Sequence, residues 1–208
     1  MAYAKFTRKQ LNEKFGIEFK KLPILPEEIP LIPPSDHLLL DMKEARMAML
    51  NNEKAQSEFL ITPILKEVWR NSNYSFGIHS GEVLDADPSQ GLTGECDFIL
   101  TSDTEYIEIK TPIISIVEAK FEQFNAGITQ ATAQLLGVQI LNERAGLNIP
   151  ELWGCSNNGS DWFFFKIEGK VVTQHTVVFS QRNVSEILGV WKLIIEKSLD
   201  MVKNQPTM

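Results

Sequence analysis

Three side chains within the stretches GECDFIL and IISIVEAK have the types and spacing to do chemistry: Asp97, Glu118 and Lys120. Ile113, Ile114, Ile116 and Val117 are apolar on both faces, as in a central buried strand. Such a strand should not end in a carboxylate and an ammonium two residues apart, because residues two apart share a face. Buried charges cost several kcal/mol unless they are paired or bound to a metal. Asp97 heads a second apolar run and adds another carboxylate if the two strands are neighbours. Two chemistries fit this set. Either the carboxylates hold a metal ion with Lys120 beside it, or the charges form a structural ion pair.

A competing Glu-x-Lys lies ten residues earlier, Glu108-Ile109-Lys110. There Ile107 and Ile109 alternate with Glu108 and Lys110. That is the pattern of a half-exposed strand with its charges toward solvent, which ranks it below Glu118-Ala119-Lys120. Further on, Gln123, Gly127, Gln130 and Gln134 fall at i, i+4, i+7 and i+11 and share one helical stripe. Ala126, Ala131 and Ala133 allow that helix to approach a sheet closely.

In the region from about residue 55 to 165 the chain resembles the PD-(D/E)-x-K nuclease superfamily. In that family an Asp begins one strand, a Glu-x-Lys lies on the next, and a helix carrying a Gln follows. The matching residues are Asp97, Glu118-Ala119-Lys120 and Gln130, and Glu58 in SEFLITPIL matches a Glu often added by an upstream helix. The sequence departs from the pattern at Cys96, which replaces the Pro before the Asp. The resemblance implies phosphodiester hydrolysis in nucleic acid, DNA in the first instance, with Mg²⁺ or Mn²⁺ as cofactor. It implies Asp97, Glu118 and the Ala119 carbonyl as metal ligands, Lys120 as the cation that orients water or offsets charge, and Gln130 and Glu58 in support. The alternative is a non-catalytic nucleic-acid-binding or protein-binding module on the same fold.

The elements that must position these residues follow from periodicity and punctuation. Thr7 caps a helix through Phe15, and five prolines between Pro23 and Pro34 predict an extended arm. Ser35 or Asp36 caps a helix through Met49, and a second helix runs from about Glu53 to Asn71 with a kink or a break at Pro63. Strands are expected at 74–84, 94–100, 106–110 and 113–120, a long helix at 122–144, strands at 152–156, 162–167 and 171–179, and a last helix at 184–202. This order predicts an α/β fold with a mixed central sheet flanked by helices, a restriction-endonuclease-like core carrying an N-terminal helical and Pro-rich arm. Residues 1–50 form the arm and residues 51–208 the nuclease-like domain.

Composition narrows the partners. The formal charge is −7, which is not the basic footprint of a typical nucleic-acid binder. The charge is uneven, however. Residues 1–22 hold Lys5, Arg8, Lys9, Lys14, Lys20 and Lys21 against Glu13 and Glu18, a balance of +4 that leaves −11 for the rest. This basic segment is expected either to touch phosphates or to be a solvated amphipathic helix, and the arm either to join a second copy of the chain in a homodimer or to fold back on its own domain. No apolar run approaches the roughly 18 residues of a membrane span. Cys96 and Cys155 lack CxxC spacing and argue against thiolate zinc, and the sequence reads as that of a reduced, cytoplasmic protein. No Gly-rich phosphate loop, serine-hydrolase elbow or dinucleotide fingerprint occurs.

Overall fold

The apolar run at 113–119 is buried at every position and forms strand β4 (Ile113–Ala119), inside the sheet. The computed structural model describes residues 2–120 and 124–205. β4 lies antiparallel to β3 (Leu92–Thr101) and parallel to β5 (Leu152–Asn157). Parallel neighbours need a crossover, and the long helix α5 (Phe124–Arg144) supplies it. β2 (Gly77–Asp87) pairs with β3 and closes one edge. On the other side the sheet continues through β6 (Asp161–Glu168), β7 (Val171–Gln174) and β1 (Glu18–Lys21), with β8 (Phe179–Ser180) beside β6. The result is an α/β fold with one mixed eight-stranded sheet flanked by helices.

Alternation along β6 separates two cores. Trp162 and Phe164 pack with Ile64, Leu65 and Trp191 from α4 (Thr62–Asn71) and α6 (Val184–Lys203). Phe163 and Phe165 pack with Ile128 and Leu135 of α5 and with Tyr3, Leu11 and Ile17 from the N-terminal segment. That segment is thus part of the fold. Thr7 and Gln10 form a capping box at the start of α1 (Arg8–Phe15), and β1 then pairs in parallel with β7, Phe19 opposite Val172. The Pro-rich stretch is extended, as its prolines require, and runs over α6. The Ile32 N–H donates to the Ser185 carbonyl at 3.1 Å, and the Pro30 carbonyl sits where a side chain at Gly189 would project.

Four expected elements differ, one of them the predicted strand at 171–179, which is split into β7 and the two-residue β8. The predicted strand at 106–110 is an exposed irregular loop in which Ile107 is 97% exposed. Alternation alone gave it a strand-like pattern, but no neighbouring strand takes its backbone. The predicted helix at 53–71 is broken into α3 (Glu53–Gln56), a π-helical turn at Ser57–Ile61 and α4. Pro63 has no N–H to continue the ladder and sits in the first turn of α4, where none is needed. The helix capped by Ser35, α2 (Asp36–Ala45), stops short of Met49. The expected start of the long helix at Glu122 lies outside the described residues. Among the described residues no helix is long and apolar enough to cross a membrane.

Candidate functional site

The β3–β4 register pairs Leu100 with Ser115, Ile99 with Ile116 and Phe98 with Val117, so one step further brings Asp97 level with Glu118. Asp97 Oδ2 accepts the Ala119 N–H at 2.7 Å, which ties the carboxylate to the neighbouring strand. Glu118 is only 1% exposed. Its Oε2 accepts from Gln134 Nε2 at 2.9 Å, and its Oε1 lies 3.5 Å from Lys120 Nζ. Lys120 Nζ also donates to Glu53 Oε2 at 3.1 Å. Asp97, Glu118 and Lys120 are therefore drawn to the same end of β4, with the Ala119 backbone between them.

Burial sets the protonation of this cluster. It pushes the Glu118 carboxyl up to about 8, Asp97 adds repulsion, and the hydrogen bonds from Gln134 and Lys120 offset only part of this. Burial also raises Asp97 above the usual carboxylate range, against the pull of the Ala119 N–H. Burial would lower Lys120, but Glu118, Glu53 and Asp97 outweigh it and hold the ammonium above its ordinary value. Burial raises the Cys96 thiol, and Glu118 and Asp97 raise it further, so Cys96 stays a neutral core thiol.

Two sequence-derived positions differ from their neighbours in the structure. Gln130 is buried at the wall of an adjoining cleft, but Gln134, one turn along the same stripe, holds Glu118. Gln123, first of that stripe, lies outside the described residues. Glu58 lies on the surface with its side chain 57% exposed, 4.0 Å from Lys54. Glu58 lies within the π-helical turn Ser57–Ile61. Glu53 reaches Lys120 instead. Sequence reasoning missed Glu53 because an acid just after the Asn52 cap reads as a complement to the helix dipole. Glu108 and Lys110 sit in the exposed 106–110 loop, 3.9 Å apart, and take no part in the cluster.

Several observations test whether a metal suits these residues. Gln134 Oε1 and Ser156 Oγ are buried without a hydrogen-bond partner. Ser156 is the β5 partner of Glu118. α5 comes close at Gly127, where a Cβ would strike Ser156 Oγ and lie 3.1 Å from Lys120 Cγ. Two carboxylates, with oxygen atoms beside them still seeking partners, form a hard-oxygen donor set that fits Mg²⁺ or Mn²⁺. No third acid joins them, since among the described residues no group of three His, Cys, Asp or Glu is placed to hold a metal. Mg²⁺ tolerates this, because it usually keeps several waters and takes one or two protein carboxylates. The cluster opens at Lys120 and Glu53 into a cleft of about 700 Å³ between the N-terminal segment and the first turns of α5. Comparisons with protein families, with curated proteins and with solved structures find no match for this chain.

Proposed function

We propose that this chain is a Mg²⁺- or Mn²⁺-dependent nuclease with a restriction-endonuclease-like core. The observation that carries the reading is the meeting of Asp97 and Glu118, from neighbouring strands, with Lys120 at one buried point that opens into a cleft. Asp97, Glu118 and the Ala119 carbonyl would hold the metal. A bound divalent cation supplies Lewis-acid polarisation of the phosphate and a water activated at neutral pH. Gln134 fixes the Glu118 carboxylate, Lys120 presents a positive charge to the phosphate, and Glu53 holds Lys120 at the cleft mouth. A second reading, a non-catalytic binding module, draws on Lys120 being already paired with both Glu53 and Glu118. Cleavage of a labelled oligonucleotide with Mg²⁺ or Mn²⁺ decides between them. Glu118→Ala and Lys120→Ala should each lower the rate by roughly 10²–10⁴. Glu108→Ala and Lys110→Ala should leave it unchanged. Activity that depends on the Glu108 pair and not on Glu118 would overturn the assignment.

A further inference from the structure

The cleft beside Lys120 has a second cation that the proposed chemistry does not use. Arg8 lines it with Phe6 and Thr7 from the N-terminal segment, Asn125, Thr129 and Gln130 line it from α5, and Glu53 lies beside Lys120. The guanidinium is held in place from two sides. Its Nη2 donates to Asn125 Oδ1 at 3.2 Å, and it lies 4.9 Å from the centre of the Phe19 ring. Guanidinium has five N–H donors, and no carboxylate among the described residues forms an ion pair with Arg8. Helix stability does not explain the position. The Thr7–Gln10 capping box makes Arg8 the first residue of α1, and that first turn carries Arg8 and Lys9 with no acid. Cations are disfavoured at a helix N-terminus, where the dipole is already positive. The dipole and the fixed guanidinium thus place a positive charge without a carboxylate partner on a cleft that Lys120, paired with Glu53 and Glu118, also lines, in a chain of net charge −7.

We infer that Arg8 binds a phosphate next to the one at Lys120, and that the cleft admits a single nucleic-acid strand held by its backbone. This rests on the reading of the Asp97, Glu118 and Lys120 cluster as a phosphodiester site. A volume of about 700 Å³ is that of a small-ligand pocket, enough for a nucleotide or two but not for a duplex. Asn125 and Gln130 offer amide N–H groups suited to phosphate and sugar, which carry no sequence information, while the Thr7 and Thr129 hydroxyls donate to Gln10 and to the Asn125 carbonyl. Phe6 is the aromatic in the lining and is itself buried, so the strand is held mainly through its backbone and binding is sequence-tolerant. The N-terminal segment then serves as one wall of the substrate path.

The test measures fluorescence anisotropy of a labelled DNA strand of about ten nucleotides, without divalent metal, over a salt series. Wild type should bind the strand more tightly than a blunt duplex of the same sequence. Arg8→Gln should weaken strand binding about tenfold and flatten the log–log salt dependence by about 0.7, one phosphate contact on a single strand. Arg8→Lys should keep the salt slope and recover part of the affinity, because it keeps the charge but not the fork. Lys9→Gln, whose residue pairs with Glu13 on the outer face of α1, should bind as wild type does. Thermal unfolding of each variant separates lost binding from lost folding. Arg8→Gln binding as wild type while folded, or no strand binding by wild type, overturns the inference. Cleavage assays with Mn²⁺ keep the two readings apart. A strand bound through Arg8 but never cut leaves this subsite standing and removes the nuclease. Cleavage with a KM unmoved by Arg8→Gln does the reverse.

Discussion

Replacing Glu118 with Gln removes a charge that the fold accepts only at a cost, and the size of that cost follows from its surroundings. The carboxyl is 1% exposed, and burial and Asp97 raise it to about 8, from a usual value of 4.5. A carboxyl raised on folding contributes stability below its unfolded pKa, and that contribution is lost as pH rises toward the folded pKa. At about 1.4 kcal/mol per pH unit the full gap is roughly 5 kcal/mol, and roughly 4 kcal/mol of it develops between pH 5 and pH 9. The protein also holds His175, whose Nδ1 accepts the Ile24 N–H and whose pKa burial lowers, an effect of opposite sign below pH 7. The comparison of wild type with Glu118→Gln cancels that term, because both chains carry it. Urea denaturation followed by tryptophan fluorescence should find the two chains within about 1 kcal/mol at pH 5. At pH 9 the Gln variant should be more stable by roughly 4 kcal/mol. A difference constant within about 0.5 kcal/mol across that range would refute the buried-carboxyl reasoning. Should Mg²⁺ bind at Glu118 as proposed, the same protonation predicts release of roughly one proton on binding at pH 7, since ligands must be deprotonated. Metal binding with no proton release would contradict it.

Two further outcomes follow from packing. Gly127→Ala should push α5 away from Ser156 and the Lys120 stem and destabilise by about 1–3 kcal/mol, read from urea midpoints, and an unchanged midpoint would mean that the helix shifts freely. Deleting residues 2–21 strips Tyr3, Leu11 and Ile17 from the core and β1 from the sheet edge, so the truncated chain should lose cooperative unfolding; if it stays folded and only elutes as a smaller species, the segment instead serves a second copy of the chain.

What was legible in the sequence was whatever local pattern controls. β4 stood out because an apolar run that ends in two charges violates the usual economy of a core. The Thr7 and Ser35 caps and the break at Pro63 are likewise set by side chains within a few residues of the backbone they govern. What escaped depends on distant partners. β1 is four residues, EFKK, with three of them exposed, and it is a strand only because β7 offers a free edge. The 106–110 loop has better alternation yet no such partner. Which acid reaches Lys120, Glu53 and not Glu58, depends on how the segment docks against the end of β4, which no periodicity rule anticipates. Gln130 and Gln134 share a stripe, so sequence could name the face but not which amide reaches Glu118.

The pairing of β1 with β7 also has a consequence for how the chain reaches this fold. Glu18 meets Val171, so the two partners are separated by on the order of 150 residues. During synthesis the β1 segment emerges before its partner and must wait for the intervening residues before its strand can dock. Closing so large a loop is entropically costly until the intervening sheet has formed. Leu11 and Ile17, fully buried at the end, stay without their final partners throughout that interval. Docking of β1 should therefore be a late event, and the cleft wall that carries Arg8 should be completed only after the sheet behind it.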